Sequence, residues 1–98
     1  LPPTFPEYLM PKDSKIGGYS EDQKLYFPIL FSAEQNKSLY DYYLKTLKSN
    51  NWDILFSTST AISSEIISKN KTTNKSLSIQ IQPSSQNNQR SIIIKLEK

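Results

Sequence analysis

The sequence has 98 residues, a net charge of +3 at pH 7, and neither cysteine nor histidine. A chain of this length suits one domain with a single hydrophobic core of modest depth. The missing residue types exclude disulfides, thiolate or imidazole metal sites, cysteine nucleophiles and histidine-based catalytic triads. No run of residues approaches the ~20 apolar positions of a membrane-spanning helix.

The beginning of the chain is rich in proline, which lacks an amide donor and disfavours both helices and central strands. The prolines are Pro2, Pro3, Pro6 and Pro11. We predict an extended arm or linker over residues 1–13 and a single α+β domain over residues 14–98. Two interpretations of the arm stay open: a spacer behind a membrane anchor, or a segment that packs on the domain. Because the chain begins at Leu1 rather than methionine, we expect that a signal or an anchor has been removed.

Two strands are predicted next. Residues 15–19 have the composition of a short edge strand with a bend or bulge at its Gly-Gly pair. The segment KLYFPILFS, residues 24–32, predicts a second strand. Since Pro28 cannot donate to a ladder, we expect this second strand at a sheet edge, or bulged at the proline.

A helix is predicted from Ala33 to Asn50. Ser32 is its expected N-cap, and Gln35 completes a capping box. An apolar stripe along the helix consists of Tyr40, Tyr43, Leu44 and Leu47. The following asparagines end the helix, because asparagine tolerates the left-handed backbone conformation. The stripe predicts a helix that packs on a sheet.

The rest of the chain alternates in the manner of strands. The predicted strands are WDILFST (52–58), AISSEIISK (61–69), SLSIQIQ (76–82) and RSIIIKLEK (90–98), joined by turns at residues 70–75 and 83–89. The fold class predicted is α+β, a two-layer antiparallel sheet of four to five strands with one main helix packed on one face. The expected core is Tyr40, Tyr43, Leu44, Leu47, Trp52, Ile54, Phe56, Leu77, Ile79, Ile81, Ile92, Ile94 and Leu96.

The junction between the helix and the next strand resembles a pattern found in small bacterial lipoproteins and membrane-anchored extracytoplasmic α+β domains. That pattern reads aromatic-Tyr-x-x-x-Leu-x-x-x-Gly-Trp, and here it corresponds to Tyr42, Tyr43, Leu47, Asn51 and Trp52. Asparagine replaces the glycine and meets the same backbone requirement. The resemblance extends over roughly residues 25–97. It implies a periplasmic or cell-surface location, anchored in the membrane in the full-length form, and an assembly or cell-envelope role.

Aromatic and basic side chains are the candidate contact residues. Tyr40 and Tyr43 are predicted to be buried, whereas Tyr42 lies off the stripe and is either an exposed contact or partly buried beneath the arm. Tyr8 and Tyr19 are further candidates for stacking on a ligand. A basic tip is also predicted, with either a binding role or the role of a solvated loop. Its residues are Lys69, Lys71 and Lys75, with Arg90 expected across the hairpin.

Catalysis and nucleic-acid binding have little support in the sequence. No carboxylates are placed as an acid–base pair by helical spacing, and no glycine-rich phosphate loop is present. We therefore predict that the protein is not an enzyme, with no catalytic residues, no metal and no cofactor. The predicted open sheet face is polar, at Ser78, Gln80, Gln82, Ser91 and Lys95, which disfavours an RNA-reading sheet with exposed aromatics.

The leading prediction is a non-catalytic binding or assembly module of a bacterial envelope protein, which contacts a protein partner through a sheet edge or the open face. The alternative is a domain that binds a small ligand or a polysaccharide. A third possibility is an RNA-binding sheet. A membrane contact is expected only through an anchor that this chain lacks.

Overall fold

The computed structural model describes residues 1–85 and 88–98. Gln86 and Asn87, which belong to the predicted turn at residues 83–89, lie outside the described residues. The helix is α1 (Asn36–Ser49), and the strands are β1 (Lys15–Glu21), β2 (Leu25–Ser32), β3 (Trp52–Ser59), β4 (Ser64–Asn70), β5 (Ser76–Pro83) and β6 (Arg90–Glu97).

The strands form one antiparallel sheet in the order β1-β2-β6-β5-β4-β3. The predicted α+β class is confirmed, but the described residues form six strands rather than four or five. All six segments with strand patterns pair in the sheet, including β1, where the glycine pair does not end the pairing with β2. Instead, the register shifts between Ile16 and Gly18, and the ladder continues past this bulge.

The position of β2 differs from the prediction for a strand that contains proline. It lies between β1 and β6, not at an edge. Its pairing with β6 includes Tyr26 and Ile29 but omits Phe27 and Pro28, while the register on both sides of the gap stays the same. An interior strand thus accommodates the missing amide of Pro28 by a local gap in one ladder.

Helix α1 begins three residues later than predicted. Residue Ser32 still belongs to β2, where it pairs with Arg90, so the chain must first turn away from the sheet. The Ser32 hydroxyl accepts a hydrogen bond from the Glu34 amide at 3.1 Å. Gln35 is the N-cap and makes no side-chain capping bond. The predicted left-handed asparagine after the helix is confirmed at Asn51, whose φ is 69°.

The hydrophobic core lies between one face of the sheet and a layer formed by α1 and the N-terminal arm. Its buried members are Phe5, Leu9, Leu30, Leu39, Tyr43, Leu47, Trp52, Ile66, Leu77, Ile79, Ile81, Ile92, Ile94 and Leu96. Tyr40, Leu44 and Ile54 are partly buried against this core. Most of the predicted core is therefore confirmed, and the arm supplies two further buried residues, Phe5 and Leu9.

The arm packs against the domain through rings and hydrogen bonds. Phe5 meets the ring of Tyr26 edge-on, with centroids 5.8 Å apart. A short 3-10 helix, Glu7–Leu9, follows. The Tyr42 and Tyr43 hydroxyls donate to the carbonyls of Tyr8 and Leu9, each at 2.7 Å. These contacts match the second interpretation of the arm, a segment that packs on the domain.

The prediction that Phe56 lies in the core is wrong. The register between β3 and β4 shifts between Ile54 and Phe56, which marks a bulge at Leu55. One extra residue reverses the alternation of the strand, so the next side chain moves to the other face. Phe56 is 50% exposed and lies opposite Ile67, itself 38% exposed.

None of the described helices is long and apolar enough to cross a membrane.

Candidate functional site

The helix tyrosines are held in place from the core side. Tyr43 is fully buried, and its ring packs edge-on against Tyr42 with centroids 5.3 Å apart. Burial, together with the neighbouring Tyr42, raises the pKa of Tyr43 well above its ordinary value. Tyr42 is partly buried and bonded to the arm, which matches the second of its two predicted alternatives. The ring cluster is therefore structural, with no open stacking platform on α1.

The three tyrosines proposed as ligand contacts lie in different places. Tyr8 lines a cleft with Tyr26 and Trp52, whereas Tyr42 lines a small groove beside the arm. Tyr19 lies on the edge strand β1 and is 37% exposed. Partial desolvation, together with the hydrogen bond to Glu21 and its charge, raises the pKa of Tyr19 to about 12.

The predicted basic tip is incomplete. Lys71 and Lys75 lie in the turn between β4 and β5, and Lys69 is near the end of β4, opposite Asp53. Arg90 does not join them, because it pairs with Pro83 at the other end of β5. The expectation that Arg90 lies across the hairpin from the lysines is wrong, since the two ends of an eight-residue strand are ~25 Å apart.

Arg90 instead lines a pocket of about 380 Å³ at the start of α1, together with Tyr40 and Asn36. Its Nε atom is buried and has no hydrogen-bond partner among the described residues. The side chain of Asn36 is buried there and bonded on both of its polar atoms. It donates to the Thr60 carbonyl at 2.9 Å and accepts from the Ser64 hydroxyl at 2.9 Å. Asn36 thus fastens the start of α1 to the hairpin of β3 and β4.

A larger cleft, of about 530 Å³, lies on the helix side of the sheet at the end where the arm meets β2 and β6. We call it the aromatic cleft, and it is lined by Thr4, Pro6, Tyr8, Tyr26, Trp52, Asn70, Thr73, Lys75, Leu96, Glu97 and Lys98. The indole Nε1 of Trp52 donates to the Tyr8 hydroxyl at 3.0 Å. This bond fixes two of the rings relative to each other. Sequence patterns assigned Trp52 to the core only, and gave no role to Tyr26.

The open face of the sheet, opposite α1, is not the uniformly polar surface that was predicted. The polar residues Ser76, Ser78, Gln80 and Gln82 form a column along β5, as alternation in that strand requires. On one side of the column, β2 and β6 present Leu25, Phe27, Ile29, Phe31 and Ile93. On the other side are Ile67 and Phe56. The sequence argument that this face lacks aromatic side chains is therefore wrong.

A groove of about 460 Å³ crosses this face, which we call the open-face groove. Its floor contains the short side chains of Ser76 and Ser78 on β5. Leu25 and Lys95 stand on one side of the floor, and Ile67 stands on the other. The groove forms because β5 carries serines where the strands on either side carry longer side chains.

Charged groups beside the aromatic cleft and the open-face groove have structural partners. The Lys98 hydrogen bond is the largest cause that lowers the pKa of Glu21, and the amides of Lys24 and Leu25 lower the pKa of Asp22. The Lys95 ammonium lies 5.5 Å from the centre of the Phe27 ring. Among the described residues, no three metal-ligating side chains come together. The contacts of Glu21, Asp22 and Lys95 order the surface around them.

No protein-family model and no curated protein sequence matches the chain. The resemblance to envelope lipoproteins stays a prediction. The open-face groove and the aromatic cleft combine residues that the sequence assigned to surfaces, such as Ser78 and Tyr8, with residues that it assigned to the core or to no site, such as Trp52 and Tyr26. Strand alternation identifies the serine column of β5. The bulge at Leu55, which puts Phe56 beside Ile67, has no signal in the local sequence.

Proposed function

We propose that this chain is a non-catalytic binding module of a bacterial envelope protein, and that its open-face groove receives an amphipathic helix from a partner protein. The single observation that carries the proposal is the pairing of a short-side-chain floor with apolar walls. Ser76 and Ser78 form the floor, and Leu25 and Ile67 form the walls. Such a groove accepts the apolar face of a helix, which is a recurrent mode of protein recognition.

The width of the groove supports a helical occupant. The apolar walls are Leu25 on β2 and Ile67 on β4, with β6 and β5 between them. Adjacent strands are ~4.8 Å apart, so these walls are ~14 Å apart. A helix with its side chains is ~10–12 Å across. The sheet already packs a helix on its other face, where α1 contacts β3, β4 and β5. A second helix on the open face would give three layers.

The strand edges support the proposal by being poor docking sites. The edge strands are β1 and β3, and each has a bulge, at Gly17 and at Leu55 respectively. A bulge twists the edge and interrupts its regular row of amides and carbonyls, which disfavours the addition of another strand. Of the two surfaces considered from the sequence, the open face is therefore the better docking surface.

The polar residues around the groove suit a rim that fixes the orientation of the helix. At one end, Asp22 and Glu97 alternate with Lys24 and Lys95. Buried apolar contacts supply most of the affinity of a protein interface, while a charged rim selects partners and orientation. We expect the partner helix to place aliphatic side chains over Ser78 and charged groups of both signs at this end.

The envelope location rests on the resemblance at the junction of α1 with β3. Fractionation of the producing bacterium, followed by detection with an antibody to this domain, tests it. Recovery in the periplasmic or membrane fraction is expected. Recovery in the cytosol alone would contradict the location but not the groove.

The binding proposal is tested with a matched pair of substitutions. Ile67→Lys places a charge on the wall of the groove, and Ile62→Lys places the same charge in the turn between β3 and β4. Ile67 is 38% exposed and Ile62 is 64% exposed, so both variants should fold. Each variant and the wild type is immobilised and incubated with envelope extract, and captured proteins are identified by cross-linking and mass spectrometry.

The expected result is a protein captured by the wild type and by Ile62→Lys but lost with Ile67→Lys, whose cross-links reach the groove from a helical segment. Equal capture by both variants would show that the groove is not the docking surface. Sedimentation equilibrium provides the other comparison. If the wild type forms a dimer and Ile67→Lys dissociates it, the occupant of the groove is a second copy of the chain and not a partner helix.

A further inference from the structure

We propose a second binding site in the aromatic cleft, with a neutral saccharide as its ligand. This site is independent of the proposed protein partner. It lies on the helix side of the sheet, where Tyr26 and Leu96 face the arm, whereas the open-face groove lies on the opposite side. Its volume of about 530 Å³ is within the ~300–1,000 Å³ typical of small-molecule sites.

The rings in the cleft are already held in fixed positions. Tyr26 packs edge-on with Phe5, and its hydroxyl is within hydrogen-bond distance of the Thr4 hydroxyl, at 2.5 Å. Tyr8 is held through its carbonyl by Tyr42 and through its hydroxyl by Trp52. A ligand that enters the cleft therefore meets a wall that loses little conformational freedom on binding.

Hydrogen-bonding capacity remains in the cleft after these bonds are counted. The Tyr8 hydroxyl accepts from the Trp52 indole, so its own proton is free to donate to a ligand. The Tyr26 and Thr4 hydroxyls share one bond, which leaves one of their two protons for a further acceptor. Sugar hydroxyls both donate and accept, and they match such a mixed set.

The charges around the cleft balance, which favours an uncharged ligand. Lys98 pairs with Glu21 at 2.5 Å, and its ammonium lies 4.9 Å from the centre of the Tyr26 ring. Glu97 accepts the Ser76 amide at 2.9 Å. The ammonium of Lys75 has no ion-pair partner within residues 1–85 and 88–98. Two lysines and two carboxylates leave no net charge to select an anion.

These features favour a pyranose ring over other neutral ligands. Its carbon–hydrogen face can pack on the rings of Tyr8 and Tyr26, and its hydroxyls can reach the Lys75 ammonium and the Asn70 and Thr73 side chains. Lys75 is the clearest test residue. It lines the cleft from an exposed turn, and it has a close counterpart in Lys71, which lies in the same turn outside the cleft lining.

The experiment titrates the isotope-labelled protein with maltohexaose, cellohexaose and laminarihexaose, and with hexagalacturonate as the acidic counterpart. Amide and aromatic resonances report the site, and Trp52 fluorescence provides a second readout. A neutral hexasaccharide should shift the resonances of Tyr8, Tyr26 and Trp52. Lys75→Ala should weaken that binding about tenfold, because a charge-assisted hydrogen bond is lost. Lys71→Ala should leave it unchanged.

Three outcomes would overturn the proposal. One is the absence of cleft shifts with every neutral hexasaccharide at millimolar concentration. Another is binding of hexagalacturonate alone, which would contradict the neutral ligand class. The third is a set of shifts centred on Tyr19 or Tyr42 and insensitive to Lys75→Ala, which would move the saccharide site to another surface.

Discussion

The two faces of the sheet both carry apolar side chains, but only one face is covered. On the helix side, α1 and the arm bury residues such as Leu9, Tyr43 and Ile79 completely. On the open side, Phe56 and Ile67 lie next to each other in register and remain partly exposed. The difference teaches that side-chain alternation tells which residues share a face, while the chain beyond the sheet decides which face is sealed.

Within strand β3 the same contrast appears over five residues. Trp52 is buried on the covered face, and Phe56 is exposed on the open one, although an unbroken strand would place them together. The bulge at Leu55 separates them. A single inserted residue therefore moves a large aromatic ring from the core to the candidate docking surface.

The largest expected effect comes from the covered face. Leu9→Ala removes a fully buried side chain that the arm contributes to the core, and should lower the free energy of unfolding by about 2–5 kcal/mol. Leu55→Ala, at a side chain that is 60% exposed, should change it by less than about 0.5 kcal/mol. Urea denaturation followed by Trp52 fluorescence measures both. Similar losses of unfolding free energy in the two variants would show that the covered face is not packed more tightly than the open face.

The next effect concerns the open face, at the bulge in β1. A Cβ on Gly17 would lie 2.1 Å from the Phe31 ring, so Gly17→Ala must displace that ring, at a cost of about 1–3 kcal/mol. Nothing lies within 4 Å of a Cβ on Gly18.

Gly18→Ala is the matched control and should be neutral or stabilising by about 0.4–1 kcal/mol, because alanine restricts the unfolded chain. Thermal unfolding of the two variants makes the comparison. If Gly17→Ala were as stable as Gly18→Ala, the Phe31 ring would not be packed over the bulge.

A smaller effect is expected where the arm is fastened to α1. Tyr43→Phe and Tyr42→Phe each remove one hydroxyl that donates to an arm carbonyl at 2.7 Å. Each should cost about 0.5–1.5 kcal/mol, with the larger loss at Tyr43 because the Leu9 carbonyl is then buried without that donor. Hydrogen exchange of the amides of residues 5–10 gives a direct readout. Unchanged hydrogen exchange in both variants would show that these two hydroxyls do not hold the arm on the domain.

The smallest effect is a pH dependence at the edge of the sheet. The hydrogen bond from Lys98 lowers the pKa of Glu21 in the folded protein below its ordinary value of 4.5. The ionised carboxylate therefore stabilises the fold at pH values above 4.5. This contribution is lost as the pH falls through the folded pKa. Glu21→Gln should therefore be less stable than the wild type at about pH 7, and the difference should be smaller at a second, acidic pH below 4.5. Urea midpoints at the two pH values test this, and a constant difference would contradict it.

Much of the covered face could be predicted from the sequence, because strict alternation in β5 and β6 and the stripe on α1 are local patterns. The buried residues Leu77, Ile79, Ile92 and Leu47 follow from them. Phe56 could not be placed correctly, since a bulge depends on pairing with β4 and leaves no mark in the strand itself. Neither could the start of α1, which is set by how far β2 pairs with β6.

The candidate sites were harder to predict from the sequence than the core. The serine floor of the open-face groove is visible in the alternation of β5, but its walls come from β2, β6 and β4, whose neighbours are set by the strand order. The aromatic cleft combines Tyr8, Tyr26 and Trp52, which are far apart along the chain. Only the docked arm brings these residues together.

The place of β6 in the sheet has a consequence for how the molecule assembles. Among the described strands, β6 alone joins the β1–β2 hairpin to the meander of β3, β4 and β5. During synthesis on the ribosome, both parts emerge before the strand that unites them. We expect each to wait as a loosely structured intermediate with unpaired edges, so that the slow step of folding is the insertion of β6 between them.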